Sequence, residues 1–217
     1  MKIEEVCEKL SLGLSTDLAK KNSDDQYFSA AILVPLIREK DQLSLLFEVR
    51  SANLAWQPGE ICFPGGRIET TDENSSFAAV RETSEELCIE TDKIKVLGSL
   101  YEIISPIGVR LYPTVAYLDI NKPISPSAAE VSEVFTVPLE YLLAYKPIVA
   151  HMERSTKPLA DFPFELLPNY SKEWKSRKNY QVLFYKYENY VIWGLTAQVL
   201  FNFLEVYRNY LKNAYEI

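Results

Sequence analysis

The chain has 217 residues, so one large domain, or one domain with extensions, is the starting expectation. A hydrophobic fraction of 47% excludes a disordered protein, and a net charge of −7 argues against a nucleic-acid binder, which needs a basic excess to neutralise phosphates. A single histidine, His151, excludes a His-rich zinc site, the longest apolar run is too short and too interrupted to span a bilayer, and three cysteines without a CxxC pair fit a reduced, cytoplasmic setting. Enzyme chemistry in such a chain falls to its carboxylates.

Residues 3–21 read as a helix, with apolar positions at Ile3, Val6, Cys7, Leu10, Leu14 and Leu18, ended by the polar run Lys20–Gln26. Residues 27–38 and 43–50 are β-rich and separated by Glu39-Lys40-Asp41, which predicts a hairpin. The loop Ser51–Glu60, punctuated by Pro58-Gly59, leads to a short strand over 60–63 and then to Phe63-Pro64-Gly65-Gly66. A helix is predicted over 74–88, strands over 95–103 and 109–119, and a Pro/Ser loop over 120–130. Pro138 suits the first position of a short helix over 138–144. Residues 145–178 are irregular, with one strand near 148–154. Residues 179–187 alternate like a strand, and 191–212 form an apolar terminal helix. Its aromatic residues (Trp193, Phe201, Phe203, Tyr207, Tyr210) serve either the core or a homodimer surface. Strands mixed with few helices predict an α+β fold with helices on a mixed sheet.

The chemistry concentrates in residues 63–89. On the helical wheel Phe77, Val80, Ser84, Leu87 and Cys88 form the expected buried stripe, and Glu82, Glu85 and Glu86 cluster opposite. Spacings of three and four residues make these carboxylates neighbours, and like charges so placed destabilise a helix. At an effective dielectric of about 20 and a separation of about 6 Å the repulsion is roughly 3 kcal/mol a pair. A divalent cation reverses its sign, and hard carboxylate oxygens suit Mg²⁺ or Mn²⁺ beside substrate phosphates. Arg81, four residues before Glu85, is placed to orient it by a charge-assisted hydrogen bond. Gly65 and Gly66 lack a Cβ, so their backbone can approach a phosphate or metal closely. An acidic helical face is usually only a solvated one. The conjunction of FPGG, Asp72 and Arg81-Glu82-x-x-Glu85-Glu86 is what singles this one out.

These residues resemble the Nudix box, Gx5Ex7REUxEExGU, of the Nudix hydrolases, which cut a nucleoside diphosphate linked to a second moiety. Gly66, Asp72 in the Glu position, Arg81, Glu82, Glu85 and Glu86 match. One residue is inserted between Asp72 and Arg81, Thr83 replaces an aliphatic residue, and Cys88 replaces the glycine. The insertion and the aspartate are typical of the coenzyme A diphosphatase branch, whose upstream signature resembles LLTxRSx3Rx3Gx3FPGG. Here Leu45-Leu46, Arg50-Ser51, Gly59 and Phe63–Gly66 fit, with one extra residue between Leu46 and Arg50. Ala55 stands where a basic residue is usual, which bears on substrate identity rather than on catalysis.

The resemblance implies an α/β/α sandwich as a single domain. Residues 1–25 are a helical extension, 27–145 the core with its box at 66–89, 146–178 an irregular insert, and 179–217 a strand plus a long C-terminal helix. It implies Mg²⁺ or Mn²⁺ held by Glu82, Glu85, Glu86 and, from outside the box, Glu130. Glu82, Glu85 and Arg81 carry catalysis, with Glu82 as general base, and Arg50, Arg67, Gly65 and Gly66 bind the substrate. The implied reaction splits coenzyme A or acyl-CoA into 4′-phosphopantetheine (or its acyl form) and 3′,5′-ADP. The alternatives are another dinucleotide substrate, such as ADP-ribose, NADH or a nucleotide sugar, or a non-catalytic nucleotide-binding module. No nucleic-acid or membrane partner is implied.

Overall fold

The hairpin that the alternation predicts lies at the centre of the molecule. The computed structural model describes residues 28–39 and 41–215, together with Ile3, Glu5 and Glu8, which are helical; the rest of the predicted helix over 3–21, including Cys7, lies outside the described residues. Strand β1 (Phe28–Glu39) buries both of its faces: Ala31, Leu33 and Ile37 point to one core, Ala30, Val34 and Leu36 to the other. A strand covered on both sides reads as one continuous apolar run, as this one does.

Strand β2 (Gln42–Arg50) pairs antiparallel with the end of β1, while β3 (Ile61–Cys62) pairs with β2. Strand β4 (Gly65–Arg67) pairs antiparallel with Ala30–Ile32 at the start of β1. Strands β5 (Ile94–Ser99) and β6 (Ile103–Ile104) lie antiparallel to β7 (Val109–Leu118), which runs parallel to β1 from Phe28 opposite Val109 to Ile37 opposite Leu118. Strand β8 (Val131–Pro138) completes this mixed sheet on β2.

A helix covers each face. Helix α1 (Ser75–Leu87) packs Ala78, Ala79 and Leu87 with Ala31, Leu33, Leu46 and Ala116, and is capped by Asn74, whose side chain accepts the Phe77 N–H at 2.9 Å. After the short α2 (Leu139–Ala144) come β9 (Ile148–Met152), the two-residue ribbon of β10 (Ser155–Thr156) and β11 (Lys175–Ser176), β12 (Tyr180–Tyr187) and β13 (Tyr190–Trp193). Strands β9, β12 and β13 form a second, three-stranded sheet. Helix α3 (Gly194–Tyr215) buries Leu200, Phe203 and Leu204 in the core that contains Phe47, Phe63 and Val115. The architecture is therefore the α/β/α sandwich of α+β class that the resemblance implies. Among the described residues no helix is long and apolar enough to cross a membrane.

Four local expectations are corrected. The stripe of α1 is rotated: Ala78, Ala79, Thr83, Glu86 and Leu87 are buried, whereas Phe77 is 49% exposed and Cys88, expected in the core, is exposed in a left-handed cap at φ 51°. Small side chains let the helix lie close on the sheet, and the Thr83 hydroxyl satisfies itself by donating to the Ala79 carbonyl at 2.7 Å. Residues 131–138 form β8, which the adjacent polar pair Ser132-Glu133 conceals in the alternation, so Pro138 ends a strand and caps α2 instead of occupying its first turn. The predicted strand over 95–103 divides into β5 and β6. The terminal helix begins at Gly194 rather than 191, because Tyr190–Trp193 pair with β12 and Gly194, at φ 63°, redirects the chain. Of its aromatic residues, Phe203 and Tyr207 belong to the core, while Trp193 is 42% exposed.

Phe203→Ala removes a fully buried ring from the α3 contact. A loss of about 3–5 kcal/mol is expected, measured as a lower urea midpoint followed by circular dichroism. An unchanged midpoint would mean that α3 does not complete the core.

Candidate active site

The turn between β4 and α1 is built by absence of side chains. Gly65 has φ 149°, and a Cβ there would stand 2.3 Å from the Ala31 carbonyl oxygen of the neighbouring strand. A Cβ on Gly66 would lie 2.4 Å from the carboxyl carbon of Glu82. These two positions let α1 bring its acids directly onto the sheet edge. The Gly65 N–H donates to Glu86 Oε2 at 2.7 Å, so the turn and the acidic helix are joined by a charge-assisted hydrogen bond.

Arg81 organises the outer side. Its Nε and Nη2 donate to the two oxygens of buried Asp72 at 3.0 and 3.1 Å, and Nη2 also donates to the Arg67 carbonyl at 3.2 Å. Asp72 additionally accepts the Glu69 N–H at 2.7 Å. The remaining nitrogen of Arg81, Nη1, stands 2.9 Å from Glu82 and 3.6 Å from Glu85. The sequence expectation that Arg81 orients Glu85 is thus corrected in emphasis. Its main anchor is Asp72, and it holds Glu82 more closely, because Nε and Nη2 are taken by the box loop and only Nη1 faces the two glutamates.

Glu130 arrives from the loop before β8. The Ser127 N–H donates to the Glu86 carbonyl at 2.8 Å and the Ser51 N–H to the Glu130 carbonyl at 2.7 Å, which ties this loop to both α1 and the end of β2. The Glu130 charge consequently acts on Glu82 and Glu86. The fold therefore brings together Gly65, Gly66, Arg81, Glu82, Glu85, Glu86 and Glu130. Of the arginines flanking the turn, Arg50 is tied to its own loop and Arg67 is exposed. Arg50 donates from Nε and Nη2 to the Trp56 carbonyl at 3.3 and 3.2 Å, pinning the 51–59 loop. The guanidinium of exposed Arg67 lies 5.9 Å from the Phe28 ring centroid. Trp56 is 64% exposed, and His151 lies on β9 opposite Gln181, in the other sheet.

Sequence reasoning missed Glu48. It lies on β2, on the same face as Leu46 and thus toward α1, and is completely buried. The available signal was an acid interrupting the apolar run Leu45-Leu46-Phe47-Glu48-Val49. The Cys62 thiol donates to Glu48 Oε1 at 3.2 Å. Burial raises the affinity of Glu86 for its proton, and the Glu48 charge raises it further against the opposing Gly65 N–H. Burial likewise raises Glu48, with the Cys62 hydrogen bond and Arg50 opposing and Glu130 reinforcing. Glu82 is raised by burial and restrained by Arg81. The Cys62 thiol is pushed up by burial and by Glu48, which keeps it protonated.

The donors are hard oxygens in excess of the cationic groups near them, which suits Mg²⁺- or Mn²⁺-like ions. Among the described residues no three His, Cys, Asp or Glu side chains stand together as a finished metal site. Glu82 and Glu85 face Arg81 instead.

Comparison with known proteins bears on this site. The family model described as NUDIX domain matches residues 27–157. The mouse peroxisomal coenzyme A diphosphatase NUDT7 is 37% identical over 132 residues, covering 61% of this chain and 55% of that protein. The uncharacterized Nudix hydrolase NudL of Escherichia coli O7:K1 is 32% identical over 171 residues, covering 79% of this chain and 78% of that one. Among solved structures, a C. elegans Ap4A hydrolase binary complex superimposes with a TM-score of 0.44 at 20% identity, covering 51% of this chain and 80% of that one.

Glu48 and Glu86 both bind protons more tightly folded than unfolded, so their contribution to stability is present below the ordinary carboxylate range and is lost as pH rises above it. In chelator, the urea midpoint is expected to fall between about pH 5 and about pH 9, through the folded-state values of about 7 for Glu48 and about 9 for Glu86. A midpoint that rises over this interval would show both groups charged and well paired.

Proposed function

The chain belongs to the Nudix hydrolase family, and on that footing we propose that it is a metal-dependent diphosphatase of coenzyme A or acyl-CoA, releasing 4′-phosphopantetheine (or its acyl form) and 3′,5′-ADP. The observation that carries this reading is the meeting of Glu82 and Glu86 with the Gly65-Gly66 turn, with Glu130 acting on both, directly after a Leu45-Leu46…Arg50-Ser51…FPGG segment. The likeness to the mouse coenzyme A diphosphatase supports the choice of substrate.

Nudix hydrolases use divalent metal ions, and we assign Mg²⁺ or Mn²⁺ to Glu82, Glu85, Glu86 and Glu130. Such an ion supplies neutralisation of diphosphate charge and acidification of water. The chain's own residues do the rest. Gly65 and Gly66 are assigned to the diphosphate; their missing side chains let the Glu82 carboxylate and the Ala31 backbone lie against the turn. Glu82 accepts the proton of the attacking water. Burial raises its basicity while Arg81 holds its carboxylate in place, and general-base assistance of this kind is worth about 10²–10⁴-fold. Arg81 acts through Glu82 and is itself held by Asp72. Arg50 serves the substrate indirectly, by fixing the 51–59 loop, and Arg67 is the exposed cation available to a phosphate.

One observation favours a second reading. Ala55 offers no charge where the coenzyme A diphosphatase signature has a base, which moves the chain toward another nucleoside diphosphate derivative, such as ADP-ribose or NADH.

Glu86→Gln is expected to lower Mg²⁺- or Mn²⁺-dependent turnover by at least about 10²-fold with an unchanged circular dichroism spectrum. Undiminished turnover would remove the metal assignment. In a panel of coenzyme A, an acyl-CoA, ADP-ribose and NADH, chromatography should show 3′,5′-ADP forming from the coenzyme A substrates fastest. Faster cleavage of ADP-ribose or NADH would establish the second reading in its place.

A further inference from the structure

Glu48 has a feature that the box residues lack. Its side chain is wholly buried, its Oε2 has no hydrogen-bond partner, and its Oε1 is met by the weakly donating Cys62 thiol at 3.2 Å. An orphaned buried carboxylate oxygen costs free energy that nothing around it returns. Its setting makes this worse. Glu48 shares a face of β2 with Leu46, which packs in the cluster that holds Ala78, Ala79 and Leu87 of α1, and its charge opposes those of Glu130 and Glu86. The cation nearest in sequence, Arg50, eases the Glu48 charge through space but aims Nε and Nη2 at the Trp56 carbonyl and gives Oε2 no hydrogen bond. A leucine or threonine at position 48 would serve the core between Phe47 and Val49 at less cost. The packing therefore gives no reason for an acid here, whereas a cation between β2 and α1 would give one.

We propose that Glu48 is a ligand, from the sheet side, for the divalent cation that Glu86 takes from the helix side. The proposal rests on the metal-dependent reading above and extends the ligand set beyond α1 and the Glu130 loop to the interior of the sheet. Two carboxylates approaching one ion from different layers couple cation binding to the docking of α1 on the sheet. The ion would then also cross-link the sandwich, as a ligand that binds only the folded state does.

The test uses the full chain, freed of metal with chelator and titrated with Mn²⁺ alone. Free Mn²⁺ is followed by electron paramagnetic resonance and the melting temperature by circular dichroism. Wild type is expected to bind Mn²⁺ and to melt higher with it. Glu48→Gln keeps the shape and removes the charge. It should melt at or above wild type without metal, bind Mn²⁺ at least about tenfold more weakly, and lose most of the Mn²⁺-induced rise. Glu48→Thr repeats the test with a neutral side chain that cannot reach the ion, and carries it if the glutamine variant is misfolded. Variants that bind Mn²⁺ as tightly as wild type, or that melt lower without metal while keeping the full Mn²⁺-induced rise, would make Glu48 a structural residue. That result overturns this proposal and leaves the metal-dependent reading standing. A wild-type chain that binds no Mn²⁺ overturns both.

Discussion

Two carboxylates held out of water between a sheet and a helix set the terms for the rest of this structure. Glu86 is 5% exposed and Glu48 not at all, and the charge of one raises the proton affinity of the other. A fold selected for stability alone would remove both. Keeping them requires compensation close by, and the compensating groups are the ones that define the site. The Gly65 N–H is aimed at Glu86, and the Cys62 thiol at Glu48. The bare Cα atoms of Gly65 and Gly66 allow that approach at all.

The remaining structure keeps the acids in register. The sheet presents its α1 face through small or branched residues, Ala31, Leu33, Ala116 and Leu118, and α1 answers with Ala78, Ala79 and Thr83. This close packing leaves no space for the helix to rotate, so the carboxylates project where the backbone directs them. The bidentate Asp72–Arg81 pair anchors the box loop to the helix, and the 120–130 loop is tied to the last carbonyls of α1 through Ser127. The opposite face is filled by a larger, aromatic core in which Phe47 stacks on Phe63 and Phe135 and α3 supplies Phe203. Stability thus comes mainly from the side of the sheet away from the acids, which lets the acidic side carry unfavourable charge.

Arg81 illustrates how a local motif acquires its meaning in three dimensions. On a bare helix it is one turn from Glu85, and that pair is the natural one to draw. In the folded chain the loop from 67 to 74 curls back, so Arg81 meets Asp72 and the Arg67 carbonyl first and Glu82 next. A residue that looked like a partner for one carboxylate is the strut between the loop and the helix.

The sequence by itself determined a good deal. The β-hairpin was legible because two apolar runs, Ala30–Leu36 and Leu43–Phe47, flank a charged turn, and α1 was legible as a helix over 74–88 although its buried face was not. The box acids, Gly65-Gly66 and Arg81 were legible because they are neighbours along the chain, so their spacing already fixes their mutual placement on one helix and one turn. Only the tertiary structure decided which face of α1 is buried, since that depends on how closely a helix can approach a sheet of small side chains. It also revealed β8, whose pairing with β2 outweighs a pattern broken at Ser132-Glu133. Glu48 belongs with these. It is 38 residues from Glu86 along the chain, and the local signal, an acid interrupting an apolar run, does not say what it faces. Its burial and its opposition to Glu86 exist only once α1 lies on the sheet, because repulsion between distant residues is a property of the packed layers and not of the segment that carries either charge.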